Sequence, residues 1–80
     1  MMIGRLHFPY RQRLAEAVLQ EDGRWRCPEV PALVRVLDVL YSPRREGLPA
    51  DHPKSVGHLH AAARWLKGTV ETKPGAPDRN

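Results

Sequence analysis

The hydrophobic residues of the chain are concentrated in one continuous segment, residues 27–41, with the sequence CPEVPALVRVLDVLY. At about 100° per residue, six apolar side chains form one broad helical face: Val30, Leu33, Val34, Leu37, Leu40 and Tyr41. Val36 and Val39 widen this face, which leaves Arg35, Asp38 and Ser42 for solvent. Because so wide an apolar face is normally buried, the pattern predicts a central helix enclosed by the rest of a helical domain.

Prolines set the bounds of this predicted helix. It begins at Pro28 or Pro31, since proline is tolerated only in the first turn. Glu29 suits the positive end of the helix dipole with either start. The helix must end by Ser42, because Pro43 disfavours helical geometry in the residue before it.

A preceding helix is predicted over residues 10–20. Pro9 fits its first turn, and one face collects four apolar residues: Tyr10, Leu14, Ala17 and Val18. Gly23 supplies a C-terminal stop. Trp25, in the short connector that follows, is expected to cap the core where the first two helices meet.

A third helix is predicted over residues 53–67. Pro53 marks its first turn, His52 takes the cap position and Gly68 ends it. Its core stripe consists of Val56, Leu59, Ala63 and Leu66, extended by Ala62.

The segments outside these helices complete the predicted architecture. Residues 1–8 alternate too weakly for a strand, which favours an extended arm that packs Leu6 and Phe8 on the domain. Residues 42–51 form a loop longer than most helix–helix connections, and residues 69–80 have the composition of a disordered tail. The sequence therefore predicts an all-α, three-helix domain over residues 1–68 with an extended N-terminal arm, followed by a disordered tail over residues 69–80.

Chain length and cysteine count limit the classes of protein to which this sequence can belong. Eighty residues make one domain at most. A single cysteine, Cys27, rules out an internal disulfide framework and suits a reducing compartment. With no secretory signal pattern and no run near the roughly 18 apolar residues of a membrane span, a cytoplasmic protein without membrane association is expected.

The charge balance favours an acidic partner. The formal net charge is +4, and arginines outnumber lysines by ten to three. Positive charge favours nucleic acid or an acidic protein surface, and the planar guanidinium suits carboxylate or phosphate recognition. A coding bias toward arginine, proline and alanine is an equally simple explanation of the same composition.

Candidate catalytic and metal-binding groups are sparse. His58 and His60 are two residues apart, which does not match the i, i+3 or i, i+4 spacing of zinc ligands on one helix. A site of Cys27, His52 and His58 has no spacing that favours it. Nucleophilic catalysis by Cys27 would need a nearby base; Arg24, Arg26 and a helix N-terminus would lower the pKa of its thiol, but a small apolar residue at a helix start is the favoured interpretation. No phosphate loop or Ser-His-Asp pattern is present. We therefore expect no enzyme activity, cofactor or metal.

Two surfaces remain as candidate binding sites. In the first, Trp65 is a half-exposed anchor with Arg44, Arg45 and His58 around it, since tryptophan and arginine are enriched at interface hot spots; core packing of Trp65 is the competing interpretation. In the second, four side chains of the third helix contact phosphates: Lys54, His60, Arg64 and Lys67. A solvated helix face has the same appearance, and the long second loop does not fit a helix-turn-helix motif.

These patterns lead to one functional expectation and one alternative. The chain is expected to be a small non-catalytic binding module, an adaptor or inhibitor that docks on an acidic surface of a larger protein, as accessory regulators of phages and mobile elements do. The alternative is a nucleic-acid-binding regulator that uses the third helix and the arginines. The oligomeric state does not follow from the sequence.

Overall fold

Four antiparallel strands and two helices make up the part of the chain that the computed structural model describes, residues 2–47 and 52–72. In chain order the elements are β1 (Met2–Tyr10), β2 (Arg13–Gln20), β3 (Trp25–Arg26), α1 (Pro31–Leu40), a 3-10 turn (Pro43–Glu46), α2 (Pro53–Leu66) and β4 (Thr69–Thr72). The predicted all-α, three-helix domain is therefore wrong, because the first third of the chain forms strands.

The N-terminal segment, predicted as an extended arm, is β1, one of the two inner strands of the sheet. The strand order is β3-β2-β1-β4, so β1 pairs with neighbours on both sides. Leu6 lies opposite Ala17, and Phe8 lies opposite Ala15. These inward-facing side chains are buried with Leu37 of α1 and Leu59 of α2 in one core, so both helices cover the same face of the sheet.

The first predicted helix is instead strand β2. Its inward positions Ala15, Ala17 and Leu19 are buried and alternate with more exposed residues. Alanine intrinsically favours helix, but pairing and packing in a sheet override so weak a preference. Small side chains at positions 15 and 17 accommodate the larger Phe8 and Leu6 on the neighbouring strand.

The turn that joins β1 to β2 lacks the residues that usually announce a hairpin. Arg11 and Gln12 have φ angles of 50° and 69°, the left-handed geometry of a two-residue hairpin turn that favours Asn-Gly. Neither residue prefers this conformation. The hairpin is therefore stabilised by its strand pairing and not by its turn residues. Sequence patterns could not predict the turn, because they depend on residues such as Asn-Gly.

Helix α1 has the predicted bounds but not the predicted environment. Among its residues, only Leu37 is buried. Val39 is 57% exposed and Leu40 is 54% exposed, and Val36 is also at the surface. Because α1 lies on a single sheet, only one side of it meets the core, and the expectation of a helix buried between partners is wrong for the described chain.

Helix α2 agrees closely with its prediction. It begins at Pro53 after the cap residue His52, whose Nδ1 accepts a hydrogen bond from the Lys54 N–H at 3.1 Å. Leu59, Ala62 and Ala63 are buried, as expected. Lys67 ends the helix in a left-handed conformation, with φ at 58°.

The strand β4 lies where the disordered tail was predicted to begin. Residues 69–72 pair antiparallel with residues 4–7 of β1, so the predicted boundary after Gly68 is corrected for this part. Residues 73–80, like residues 48–51 of the predicted loop, lie outside the described residues. Gly68 makes the connection possible, since it packs directly against the His7 backbone.

Substitutions of two glycines should have opposite effects on stability. A β-carbon at Gly68 would overlap the His7 carbonyl oxygen. A β-carbon at Gly57, an exposed position of α2, would meet nothing within 4 Å. Gly68→Ala should lower the free energy of unfolding by about 1–3 kcal/mol, and Gly57→Ala should raise it by about 0.5–1 kcal/mol. Urea denaturation measures both, and a neutral Gly68→Ala would show that β4 does not pack as described.

Candidate functional site

Trp25 attaches β3 to the C-terminal half of α1. Its backbone N–H donates to Asp38 Oδ1 at 3.0 Å, and its indole Nε1–H donates to the Tyr41 carbonyl oxygen at 3.0 Å. Asp38, expected to face only solvent, therefore satisfies a backbone donor of a residue that is 3% exposed. The two acceptors lie nearly one helical turn apart, so these bonds fix the rotation of α1 about its axis.

A second contact ties the next segment to the turn before β3. Ser42, also expected at the surface, is buried, and its Oγ donates to the Gly23 carbonyl oxygen at 3.0 Å. Gly23 has a φ of 85°, and a β-carbon there would come within 2.7 Å of Arg44 Cβ. The Gly23 turn and the 3-10 turn are thus packed together through their backbones.

Fixing α1 in this orientation leaves an apolar surface in solvent, here called the helix patch: Val36, Val39, Leu40, Tyr41 and Trp65. The first three lie at i, i+3 and i+4 and share one side of α1. Tyr41 follows directly, and its ring centroid lies 6.0 Å from that of Trp65 on α2. Trp65 is 47% exposed, so it both contacts the domain and presents an open aromatic surface.

Arg44, predicted to bind a partner, lines a cleft beside the helix patch. The cleft, here called the arginine cleft, is formed by Arg24, Asp38, Ser42 and Arg44. Sequence patterns did not place Arg24 in a binding surface, since only the packing of its turn against the 3-10 turn brings it near Arg44. No ion pair or hydrogen bond engages either guanidinium within residues 2–47 and 52–72.

His58, the other predicted partner-binding residue of α2, has an internal role. Its Nε2 lies 3.2 Å from Glu46 Oε1, and its side chain is only 18% exposed. It therefore links α2 to the 3-10 turn and is not presented freely to a partner. The side chain of Arg45 lies outside the described part of the chain.

The residues of the predicted nucleic-acid surface are exposed but do not form one array. Lys54, His60, Arg64 and Lys67 all reach solvent. His60 and Arg64 share a side of α2, whereas Lys54 falls about 120° from His60 around the helix. Lys67 follows the last helical residue with a left-handed backbone.

Three charged side chains form an ion-pair group on the uncovered face of the sheet. Arg5 lies between Glu16 and Glu71, at 3.2 Å and 2.8 Å from their carboxylate oxygens. The hydrogen bond and charge of Arg5 lower the pKa of Glu71, and those of Glu71 raise the pKa of Arg5. These three side chains are therefore engaged with one another and are not free for a ligand.

The chemistry considered for Cys27 and the histidines is not assembled in the described residues. Cys27 is buried, and burial raises the pKa of its thiol, which is the reverse of activation. In residues 2–47 and 52–72, no three His, Cys, Asp or Glu side chains are grouped to hold a metal. Neither α1 nor α2 is long and apolar enough to span a bilayer.

The chain matches no protein-family model, no curated protein and no solved structure. Its function must therefore be inferred from the two surfaces on the helical side, the helix patch and the arginine cleft. Both are positioned by the contacts of Trp25 and Gly23.

Removing the Asp38 carboxylate should lower the stability of the domain, because the Trp25 N–H loses its acceptor. Asp38→Ala leaves a buried backbone N–H without its acceptor and should cost about 1–3 kcal/mol of unfolding free energy. Arg35→Ala, an exposed position on the same helix, should change stability by less than about 0.5 kcal/mol. Equal denaturation midpoints for the two variants would contradict the described orientation of α1.

Proposed function

We propose that this protein is a non-catalytic binding module, an adaptor or inhibitor that docks through the helix patch on an acidic surface of a larger protein. The observation that carries the proposal is the exposed apolar side of α1. Val39 and Leu40 are more than half exposed, although Leu37 of the same helix is fully buried.

The cost of leaving this surface in water supports a docking role. Fully burying one Val or Leu side chain contributes about 1.5–3 kcal/mol relative to exposure. Contiguous apolar patches on small soluble domains mark interaction sites, whereas single exposed residues need no explanation. The helix patch is contiguous, because the Tyr41–Trp65 ring contact joins α1 to α2.

The composition of the patch suits a protein partner. Tryptophan and tyrosine are among the residues that dominate binding energy at protein interfaces. Trp65 is already packed on one side, so it loses little conformational freedom when a partner covers the other. A nucleic-acid partner has weaker support, because the exposed cations of α2 do not line one face.

The surrounding charge indicates an acidic partner. Arg35 is exposed on α1 beside the patch, Arg64 precedes Trp65 on α2, and both arginines of the arginine cleft are unpaired among the described residues. Opposite charge on the partner would speed association and select the correct orientation. A second copy of this chain would instead bring like charges together. A cytoplasmic location fits the single, buried cysteine.

Paired variants test this proposal in extract from the native cell. Tagged wild-type chain, Val39→Glu and Trp65→Ala are compared with Leu14→Glu, which changes an apolar residue that is 68% exposed on the opposite face of the sheet. A partner should be retained by the wild type and Leu14→Glu after nuclease treatment. Val39→Glu and Trp65→Ala should each weaken its binding by about 30-fold or more in calorimetry with the purified partner.

Three outcomes would overturn the proposal. Nuclease could release the partner, the two patch variants could bind as well as Leu14→Glu, or the purified partner could lack acidic surface charge. Circular dichroism of each variant measures whether it is folded, which separates a loss of binding from unfolding. Light scattering of the free chain identifies self-association as the competing use of the patch.

A further inference from the structure

The arginine cleft has a volume of about 480 Å³ and is open to solvent on the helical side of the domain. Arg24 belongs to the turn between β2 and β3, and Arg44 belongs to the 3-10 turn. Asp38 lies near the end of α1, and Ser42 lies between α1 and the 3-10 turn. Three separate segments therefore converge on one polar cavity.

The backbone around the cleft is held in place before any ligand arrives. The Arg24 N–H donates to Asp22 Oδ1 at 3.0 Å, and the Arg24 carbonyl oxygen accepts from the Gln20 N–H at 2.9 Å. On the other side, the Arg44 backbone packs against Gly23. A site built on fixed backbones loses less entropy on binding than one on mobile loops.

The charges in the cleft are unbalanced. Two arginines and one aspartate line it, and Asp38 already accepts the Trp25 N–H with one of its oxygens. On the sheet face, by contrast, a single arginine lies between two glutamates. The two arginine cations, which have no ion pair within the described part of the chain, repel each other, and a bound anion would relieve this repulsion.

We propose that the arginine cleft is an anion-binding site that receives a carboxylate side chain of a protein. The planar guanidinium fork matches a carboxylate through paired hydrogen bonds. Two arginines and Asp38 give the cleft a formal charge of 2 − 1 = +1, which one singly charged carboxylate balances and a doubly charged phosphate would exceed.

This assignment rests on the proposed function in one respect, that the carboxylate belongs to the partner that covers the helix patch. Asp38 and Val39 are consecutive, so the cleft and the patch lie about 100° apart around α1. Exposed Arg35 falls between them. One continuous partner surface can therefore place an acidic side chain in the cleft and apolar side chains on the patch.

The cleft can be tested without the partner, on the full chain. Arginine Nε–Hε signals are followed by NMR during titration with an end-blocked hexaglutamate peptide and, separately, with inorganic phosphate at equal ionic strength. The peptide should shift the Arg24 and Arg44 signals saturably. Arg24→Gln and Arg44→Gln should each weaken peptide binding by about tenfold, and Arg44→Lys should weaken it less, because it retains the charge.

Controls separate a specific site from general attraction to a basic protein. Arg13→Gln, at an exposed position on the distant hairpin, should leave the affinity unchanged within about twofold. Equal shifts at Arg13, Arg26 and Arg35 would overturn the site, and tighter binding of phosphate would overturn the carboxylate assignment. Trp65→Ala should leave hexaglutamate binding intact, so a failure of the patch and a failure of the cleft give different results.

Discussion

Two hydrogen bonds from Trp25 determine how α1 lies on the sheet, and both candidate surfaces depend on that orientation. The backbone N–H is bonded to Asp38 and the indole N–H to the Tyr41 carbonyl. Both bonds are partly shielded from water, and a shielded donor left without an acceptor is costly. Rotation of α1 about its axis would break them, so Leu37 enters the core while Val39 remains outside.

The helix patch and the arginine cleft are therefore two consequences of one constraint. Holding α1 by its Asp38 side exposes the apolar side, and it also brings the residues after α1 against the Gly23 turn. That contact places Arg44 beside Arg24. A small domain has too few elements to cover every apolar helix face. Here the uncovered face lies next to two arginines that form no ion pair with the residues the structure describes.

Sequence patterns located the two helices well because their bounds depend on local signals, the prolines at positions 31 and 53 and the cap at His52. They failed on the hairpin, where Ala15 and Ala17 favour helix locally and the turn has no Asn-Gly signal. β1 pairs with β2 through a short hairpin and with the distant β4 on its other side, and the second pairing lies outside any local window. Trp65 could be proposed as an anchor from its helical position, whereas Arg24 could not, because its proximity to Arg44 exists only in the folded chain.

The central claim, that Trp25 holds α1 with its apolar side in solvent, is tested most directly by paramagnetic relaxation of methyl groups with a soluble gadolinium chelate. In the free monomeric chain, the methyl groups of Val39 and Leu40 should relax nearly as strongly as those of exposed Leu14. Those of Leu37 and Leu59, which are fully buried, should be protected. Protection of Val39 and Leu40 to the same degree as Leu37 would contradict the account, since α1 would then be enclosed as its sequence pattern predicts.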